Sequence, residues 1–340
     1  MRISSWLLTA ALIARAAAAQ SGDNPPPFPA PGRLVDVGGW RLHLNCTGQV
    51  TAGQPTVILE AGIGDFSVEW GLVQPSVSAF ARVCSYDRAG DGWSDLGPDP
   101  RTFHQTVYEL HTLIDNASVQ RPLLLVGHSY GGWLVRLYQA EYPSEVGGIV
   151  LVEAGEDDPL RLTSTGTVVR SSTLVTGRPI PPVRMRGPLR ESDVPPGAMT
   201  QIRSAVQQAA ETANEPPRDK LPAEARAMRS WALQRWQHAA AANNPFELEE
   251  LADLRNRYAG KQFPLGDLPL IVITRGLPDD TTADGQTREA EHRANHLAVS
   301  HFSRVGKLIV AERSGHHIQI EQPDLVANAI RDILAQIGRR

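Results

Sequence analysis

Short apolar segments alternate with helical patterns along most of this 340-residue chain. The later apolar segments are nearly continuous runs of valine, isoleucine and leucine, which is typical of strands covered on both faces of a sheet. Strands that alternate with helices predict an α/β fold with a mostly parallel central sheet flanked by helices. The predicted strands are Arg41–Asn45, Thr56–Glu60, Val83–Tyr86, Leu123–Val126, Gly148–Val152, Leu268–Thr274 and Lys307–Ala311, and the predicted helices are Thr106–Asn116, Tyr130–Tyr142, Arg288–Phe302 and Pro323–Ile337.

The alternation stops between residues 156 and 263. The first half of this segment is rich in proline, serine, threonine and arginine, and its second half carries amphipathic helical patterns such as Ala223–Ala242, with no strong strand. Long insertions in compact folds are usually caps or functional loops. We therefore predict a mainly helical lid at 156–263, inserted between two parts of an α/β core at 41–155 and 264–340.

The first 40 residues differ from the rest. Residues 1–19 combine Arg2, an apolar stretch from Trp6 to Ala14 and a small-residue cleavage site at Ala17–Ala19, which are the features of a secretory signal peptide. The apolar stretch is too short to cross a bilayer. We therefore expect a secreted or periplasmic protein rather than a membrane anchor. Residues 20–40 begin with a proline-rich stretch and are predicted to form a linker.

Charge and composition narrow the function classes. The chain has 33 Lys and Arg against 37 Asp and Glu, a net charge of -4, and no basic run that would bind nucleic acid or an anionic membrane. With 41% hydrophobic and 21% charged residues, it fits neither a disordered chain nor a protein with many membrane spans. These values indicate a globular protein with no nucleic-acid partner and no stable membrane insertion after signal removal.

The strongest chemical signal is the segment Gly-His-Ser-Tyr-Gly at residues 127–131. It follows the predicted strand Leu123–Val126 and opens a predicted helix, which is the context in which G-x-S-x-G marks a nucleophilic serine. The small flanking residues allow a tight turn, so that the hydroxyl of Ser129 projects from the sheet. Unpaired amides at the start of the helix favour negative charge there. We predict that Ser129 is a nucleophile.

A serine hydroxyl is a weak nucleophile and needs a general base. His316 lies in the segment Ser-Gly-His-His, after the predicted strand Lys307–Ala311 and before a predicted helix. This loop lies at the carboxyl edge of the sheet, where ligands bind in such folds. His316 is the first candidate for the base, and the adjacent His317 competes with it.

Other histidines are interpreted as structural. His128 adjoins the serine and is expected to support the turn. His292 and His296 stand four residues apart on a predicted helix, which is a spacing that metal sites use. No carboxylate stands at the spacing of a zinc protease, so we expect these two histidines on a solvated helix face. We predict no metal and no cofactor.

The base in turn needs a carboxylate that orients it and stabilises its charged form. The predicted strand at 268–274 is followed by Arg-Gly-Leu-Pro-Asp-Asp, in which Asp279 is the first candidate and Asp280 the second. Glu153 is the third candidate, because it ends the predicted strand at 148–152 and could also reach the histidine.

The tetrahedral oxyanion of an acyl transfer needs two backbone donors. One is the amide of Tyr130, the residue after the nucleophile. The other should come from a loop after an early strand, and the glycine-rich turn Glu-Ala-Gly-Ile-Gly at residues 60–64 supplies one. The amide of Ile63 is the candidate.

Four motifs together resemble the α/β-hydrolase superfamily, in the lid-bearing group that includes esterases, proline iminopeptidases, cofactor-free haloperoxidases, epoxide hydrolases and haloalkane dehalogenases. The turn at 60–64 resembles the family's oxyanion turn, with Ala61 where histidine is common. Residues 86–94, Tyr-Asp-Arg-Ala-Gly-Asp-Gly-Trp-Ser, resemble its Asp-Arg-x-Gly-x-Gly-x-Ser loop. Residues 127–131 resemble its nucleophile turn, and Gly-His at 315–316 resembles its histidine loop.

The resemblance covers nearly all of the chain from Arg41 to Ile337 except the lid, and it implies an α/β-hydrolase fold. The order Ser129, Asp279, His316 along the chain is also the order of this superfamily. Epoxide hydrolases and haloalkane dehalogenases resemble the chain but use an aspartate as nucleophile. A serine instead implies acyl transfer, and hence hydrolysis of a carboxylic ester or a lactone.

The sequence therefore predicts a secreted serine hydrolase, a carboxylesterase for small or medium substrates. A proline iminopeptidase-like aminopeptidase or amidase is the second interpretation. It would need lid carboxylates to hold a free amino terminus, for which Glu247, Glu249 and Glu250 are available. A catalytically inactive binding module of the same fold is the third, and the presence of Ser129 and His316 argues against it.

The two cysteines, Cys46 and Cys84, form an even pair in a chain predicted to be exported. In the implied fold, the strands that carry them should be neighbours in the sheet. We therefore expect a disulfide between them.

Overall fold

A sheet of eight strands forms the centre of the protein. The computed structural model describes residues 27–162, 166–185, 187, 189–194, 196–241, 244–278 and 282–338. The strands are β1 (Arg33–Asp36), β2 (Arg41–Thr47), β3 (Thr56–Glu60), β4 (Val83–Tyr86), β5 (Leu123–His128), β6 (Val146–Val152), β7 (Leu160–Leu162), β8 (Val168–Arg170), β9 (Leu270–Arg275) and β10 (Lys307–Ala311).

The sheet is mostly parallel. Its spatial order is β1-β2-β4-β3-β5-β6-β9-β10, in which only the pairs β1–β2 and β2–β4 are antiparallel. β3 and β5 are buried along their whole length, as expected for strands covered on both faces. The predicted α/β-hydrolase fold is confirmed.

Helices cover both faces of the sheet, and a large hydrophobic core lies between the sheet and the helices on each face. The helices are α1 (Gln74–Ser78), α2 (Phe103–Asn116), α3 (Tyr130–Glu141), α4 (Pro196–Glu211), α5 (Ala223–Leu233), α6 (Trp236–Ala241), α7 (Glu247–Tyr258), α8 (Ala283–Ser300), α9 (Ile318–Glu321) and α10 (Pro323–Ile337). One core holds side chains of α2, α3, α7 and α8, including Phe103 and Leu134. The other holds side chains of α1, α9 and α10, including Val77 and Ile330.

Two elements differ from the sequence prediction near the amino terminus. Residues 33–36, predicted as linker, form β1 and pair with β2. Helix α2 begins at Phe103, three residues before the predicted start at Thr106, because the Thr102 side chain accepts a hydrogen bond from the amide of Gln105 at 3.1 Å and caps the helix.

The insertion at 156–263 contains the helices α4 to α7, as predicted, and also a hairpin of β7 and β8. The hairpin was not predicted, since its three-residue strands carry too few positions for a periodic pattern. Helix α7 ties the insertion to the core. The carboxylate of Glu250 accepts hydrogen bonds from the first amides of α2, those of Phe103 at 2.7 Å and His104 at 3.0 Å.

The predicted signal peptide at 1–19 lies outside the described residues. Among the helices of the described residues, none combines the length and the apolar character that a membrane span requires.

The predicted disulfide is present. Cys46 of β2 and Cys84 of β4 lie directly opposite each other in the antiparallel register, with their Cα atoms 4.0 Å apart, and a disulfide joins them. The bridge closes a loop of 38 residues that contains β3 and α1. It therefore ties an outer strand of the sheet to the strand next to β3.

Replacement of both cysteines by alanine should lower the free energy of unfolding by about 2–4 kcal/mol, because the bridge restricts the unfolded chain. The measurement is urea denaturation of the variant beside the wild type. Reduced wild type, which keeps both cysteine side chains but lacks the bridge, is the control. Two alkylatable thiols in unfolded, unreduced wild type would contradict the bridge.

Candidate active site

Ser129 stands between β5 and α3 in a conformation that few residues other than glycine adopt. Its φ is 51° and its ψ is -119°. Its amide donates to the carbonyl of Val152 at 3.1 Å, and its carbonyl accepts from the amide of Gly155 at 3.0 Å. The turn is therefore held by the end of the neighbouring strand β6. Strained conformations of this kind cluster at active sites.

The glycines around Ser129 allow close contact of backbones. A Cβ on Gly127 would lie 2.5 Å from the carbonyl oxygen of Gly131. A Cβ on Gly131 would lie 2.6 Å from the carbonyl oxygen of Glu60 and 2.7 Å from that of Ala61. Side chains cannot fit at these distances. The nucleophile turn therefore packs directly against the turn that follows β3.

Arg88 holds that second turn from inside the core. Its guanidinium donates to the carbonyl oxygens of Ala61 at 2.7 Å, Gly62 at 2.5 Å and Asp65 at 3.0 Å. It also forms an ion pair with the buried carboxylate of Glu60 at 2.7 Å. With three of its carbonyls fixed, the turn presents a defined backbone next to the nucleophile.

Two arginines of the insertion hold the same turn from the other side. The buried carboxylate of Asp65 pairs with Arg218 at 3.1 Å and with Arg229 of α5 at 3.0 Å. Burial opposes its ionisation, but the two guanidinium groups hold the pKa of Asp65 well below its usual range. The insertion is thus bound to the predicted oxyanion turn by buried charges.

A cleft opens beside the two predicted oxyanion residues. Ile63, 55% exposed, and the buried Tyr130 at the start of α3 both line it. The charged side chains in its wall are Arg88, Asp91 and Arg101, and each arginine is paired with a carboxylate. Residues of the insertion complete the lining, namely Ala241 and Asn244.

His316 lies in the loop after β10, as predicted, and faces a carboxylate. Its Nδ1 is 3.9 Å from Oε1 of Glu153, which is within reach of an ion pair but longer than a hydrogen bond. Its side chain is 38% exposed, whereas that of Glu153 is buried. Catalytic hydrogen bonds are often long in free enzymes and shorten in the substrate complex.

His128 supports this loop, which confirms its predicted structural role. Its Nε2 donates to the carbonyl oxygen of His316 at 3.0 Å, and the two rings lie 4.9 Å apart. Burial and the nearby His316 lower the pKa of His128 to about 4. His317, the competing candidate, lies instead beside His128 and Asp65, and burial lowers its pKa to about 3.

Glu153 is the carboxylate of the described residues that faces His316. It follows β6 with a φ of 45°, so that two neighbouring strands end in a left-handed residue other than glycine. The amide of Arg275 donates to its Oε2 at 2.7 Å, and Nη1 of Arg275 donates to its Oε1 at 2.5 Å. Burial opposes its charge, but contacts with His292 and His316 lower its pKa well below the usual range.

Asp279 and Asp280, the first two candidates for the acid, lie outside the described residues. The loop that leads to them is attached to the histidine loop, because the amide of Leu277 donates to the carbonyl of Ser314 at 3.0 Å. The role of Asp279 therefore stays a prediction beside that of Glu153.

The prediction of a solvated face for His292 and His296 is wrong. Both are buried, at 8% and 2% exposed, where α8 packs against the end of β9. The sequence of α8 is mostly polar, so its apolar pattern could not show which face turns inward. That face is polar because it meets the charges of Glu153 and Glu156.

Two clusters of described residues have the composition of metal ligands. One consists of Asp65, His128 and His317, and the other of Glu153, His292 and His296. In each cluster the carboxylate already pairs with an arginine. A guanidinium at that position repels a cation, so neither cluster is interpreted as a metal site.

Comparison with known proteins identifies the fold independently. A sequence model of the alpha/beta hydrolase family matches residues 57–329. An AB hydrolase superfamily protein of Gibberella zeae is 23% identical over 86% of this chain and 91% of its own length. Two other curated relatives are 32% and 33% identical over shorter segments, and the chain spans only 18% and 30% of their lengths.

Solved structures with the same fold include two hydrolases. A thermophilic esterase from Thermogutta terrifontis is 17% identical, with a TM-score of 0.56 over 90% of this chain and 99% of its own. The enol-lactonase from Burkholderia xenovorans is 16% identical, with a TM-score of 0.59 over 89% of this chain and 100% of its own.

Gly131→Ala should disturb the site without unfolding the protein, because the new Cβ would push against two backbone carbonyls at the turn after β3. We expect kcat for an ester to fall by about 100-fold or more, as on loss of one oxyanion donor. Gly197→Ala in α4, where the Cβ meets nothing within 4 Å, is the matched control. Wild-type kcat in a folded Gly131→Ala protein would show that this contact does not shape the site.

Proposed function

Because the chain belongs to the alpha/beta hydrolase family, we propose that it hydrolyses carboxylic esters or lactones through an acyl-enzyme on Ser129. The left-handed backbone of Ser129, which lies beside the loop of His316 and the turn after β3, is the main support for this proposal. Serine, histidine and two backbone amides are the groups that acyl transfer requires.

In the proposed reaction, Oγ of Ser129 attacks the carbonyl carbon while His316 takes its proton. The amides of Tyr130 and Ile63 donate to the oxyanion that forms. The intermediate collapses with cleavage of the bond to the leaving oxygen, to which His316 returns the proton. Water, deprotonated by His316, then attacks the acyl-enzyme and releases the acid and Ser129. With a lactone, the leaving hydroxyl stays on the acyl group.

The third member of the site is proposed to be Glu153. It is buried, ionised and placed opposite Nδ1 of His316, where it would select the tautomer that leaves Nε2 as the base. Asp279, which the family resemblance favours, is the alternative, and a pair of variants separates the two.

Esters and lactones are favoured over peptides with a free amino terminus. The lid carboxylates that an aminopeptidase would need have other partners. Glu250 caps α2, Glu249 accepts from the Thr176 hydroxyl at 2.6 Å, and Glu247 pairs with Arg161. The esterase and the enol-lactonase that share the fold also favour esters and lactones as the substrate class.

The insertion is proposed to act as a lid that selects substrates. Its residues Ala241 and Asn244 line the cleft together with Ile63 and Tyr130 of the core. A substrate that reaches the oxyanion turn would therefore touch the insertion.

Ser129→Ala and His316→Ala should each remove nearly all turnover, and the double variant should lose little more, because the members of such a site act as a unit. The measurement is kcat and KM on a panel of esters and lactones, with aminoacyl anilides for the alternative activity. For the wild type, kcat/KM should fall at acidic pH, because a protonated base cannot accept the serine proton.

The matched control is His301→Ala, since His301 is an exposed histidine at the end of α8. Equal turnover by Ser129→Ala and wild type would contradict the serine mechanism. Faster cleavage of aminoacyl anilides than of every ester would contradict the proposed substrate class.

The acid is tested by Glu153→Gln and Asp279→Asn. We expect Glu153→Gln to lower kcat by up to about 10⁴-fold, as on loss of the acid from a serine catalytic site. Asp279→Asn should lower kcat much less. Thermal melts establish that each variant is folded. The reverse ranking would place the acid after β9 and leave the serine mechanism in force.

A further inference from the structure

The carboxylate of Glu153 has a second histidine neighbour, which approaches the same oxygen as His316. His292 of α8 lies with Nε2 2.7 Å from Oε1 of Glu153 and Nδ1 2.7 Å from Oε1 of Glu156. Glu156 is held in turn by the side-chain amide of Asn295 at 2.9 Å. The proposed base is therefore one end of a row that runs through Glu153 and His292 to Glu156.

An imidazole placed between two carboxylates is stabilised in its charged form. Nδ1 of His292 donates a hydrogen bond to Glu156, and Nε2 lies at ion-pair distance from Glu153 without the alignment of a hydrogen bond. The negative charges of both carboxylates favour the ring as an imidazolium. Burial opposes this charge, but the contacts with Glu153 and Glu156 outweigh it and raise the pKa of His292 to about 9.

His296, one turn along the same helix, shows the contrast. Its Nε2 donates to the carbonyl oxygen of Ala154 at 2.8 Å, while its Nδ1 is 4.0 Å from Oε2 of Glu153. This carbonyl and the distant carboxylate do not offset the desolvation of the charged ring. Burial therefore lowers the pKa of His296. Of the two buried histidines of α8, only His292 has the surroundings that stabilise a cation.

We propose that His292 is a positioning residue that, as an imidazolium beside Glu153, partly neutralises this carboxylate and so sets how strongly Glu153 attracts His316. The proposal rests on the proposed function, with Glu153 as the acid. His292 itself touches neither the substrate nor Ser129 in this scheme. It acts through Glu153.

Several other charged groups face this row. Arg275 of β9 binds Glu153 and also pairs with Glu289 of α8 at 2.6 Å, while His296 and His316 are the other titratable neighbours. Because Arg275 holds Glu153 through both its backbone amide and its guanidinium, Glu153 should keep its place when His292 is replaced. The main effect of the replacement is then the loss of one positive charge.

Loss of this positive charge should shift the pH dependence of activity. With His292→Gln, the carboxylate of Glu153 is less neutralised and stabilises the protonated form of His316 more strongly. The acidic limb of the kcat/KM profile should therefore move to higher pH, by about one pH unit for a neighbouring charge. We expect kcat to fall by about tenfold, within the range for side chains of one hydrogen-bond network, with KM little changed.

The wild type should also lose activity above about pH 9, where His292 becomes neutral. This alkaline limb should vanish in His292→Gln. In Glu156→Gln, which removes the distant carboxylate but keeps an acceptor, the alkaline limb should move to lower pH, because the imidazolium is stabilised less. A residue with only a structural role would lower activity equally at every pH.

The pH profiles of wild type, His292→Gln and Glu156→Gln are compared with His301→Gln, the same replacement at an exposed histidine of the same helix region. Ser129→Ala supplies the blank for spontaneous hydrolysis. An acidic limb in His292→Gln that is unchanged or moved to lower pH overturns the proposal.

A second measurement does not depend on activity and remains if His292→Gln fails to fold. Nitrogen-15 NMR of the full chain at pH 7.5 should show both ring nitrogens of His292 protonated, and Glu156→Gln should lower the pH at which His292 titrates. A neutral His292 at pH 7.5 overturns the proposal. If Ser129→Ala is inactive while these results fail, the inference is wrong and the proposed function stands; an active Ser129→Ala removes the proposed function itself.

Discussion

A left-handed backbone at Ser129 is tolerated because the end of β6 holds the turn on both sides, through the carbonyl of Val152 and the amide of Gly155. Such a conformation costs on the order of 1–3 kcal/mol for a residue with a side chain. The two bonds lie at the carboxyl ends of β5 and β6, two inner strands of the sheet order. Every other feature of the candidate site is arranged around this turn.

The same constraint extends to Glu153, the proposed acid. Gly155 can reach Ser129 only if the chain after β6 turns back toward the nucleophile, and Glu153, with its φ of 45°, lies within that turn. Its carboxylate therefore points along the sheet edge toward Arg275, His292 and His316. The conformations of Ser129 and Glu153 are parts of one structure.

Buried ion pairs hold the other loops of the candidate site in place. Arg88 fixes the turn after β3, Arg218 and Arg229 hold Asp65 of the same turn, and Arg275 holds Glu153. Loss of one partner from a buried pair typically costs about 3–5 kcal/mol, because the other charge is left uncompensated. These pairs therefore fix the turn after β3 and the carboxylate of Glu153 in place.

Local sequence signals predicted the sheet, Ser129 and the position of His316, because each depends on a short segment of strand, turn and helix. The opposition of Cys46 and Cys84 followed from the implied fold. The place of His292 could not be predicted, since α8 is polar on several sides and its partners lie about 140 residues earlier, at Glu153 and Glu156. The register that aligns β6 with β9 brings them together, and a single sequence does not display it.

In the proposed mechanism, Ser129 carries the acyl group during turnover. This covalent intermediate can be trapped by rapid acid quench of the enzyme during hydrolysis of an ester, followed by mass spectrometry of the intact protein and of its peptides. We expect a mass increase equal to the acyl group, located on the peptide at Ser129 and absent from Ser129→Ala. Full turnover with Ser129 unmodified, or with the acyl group on another residue, would contradict it.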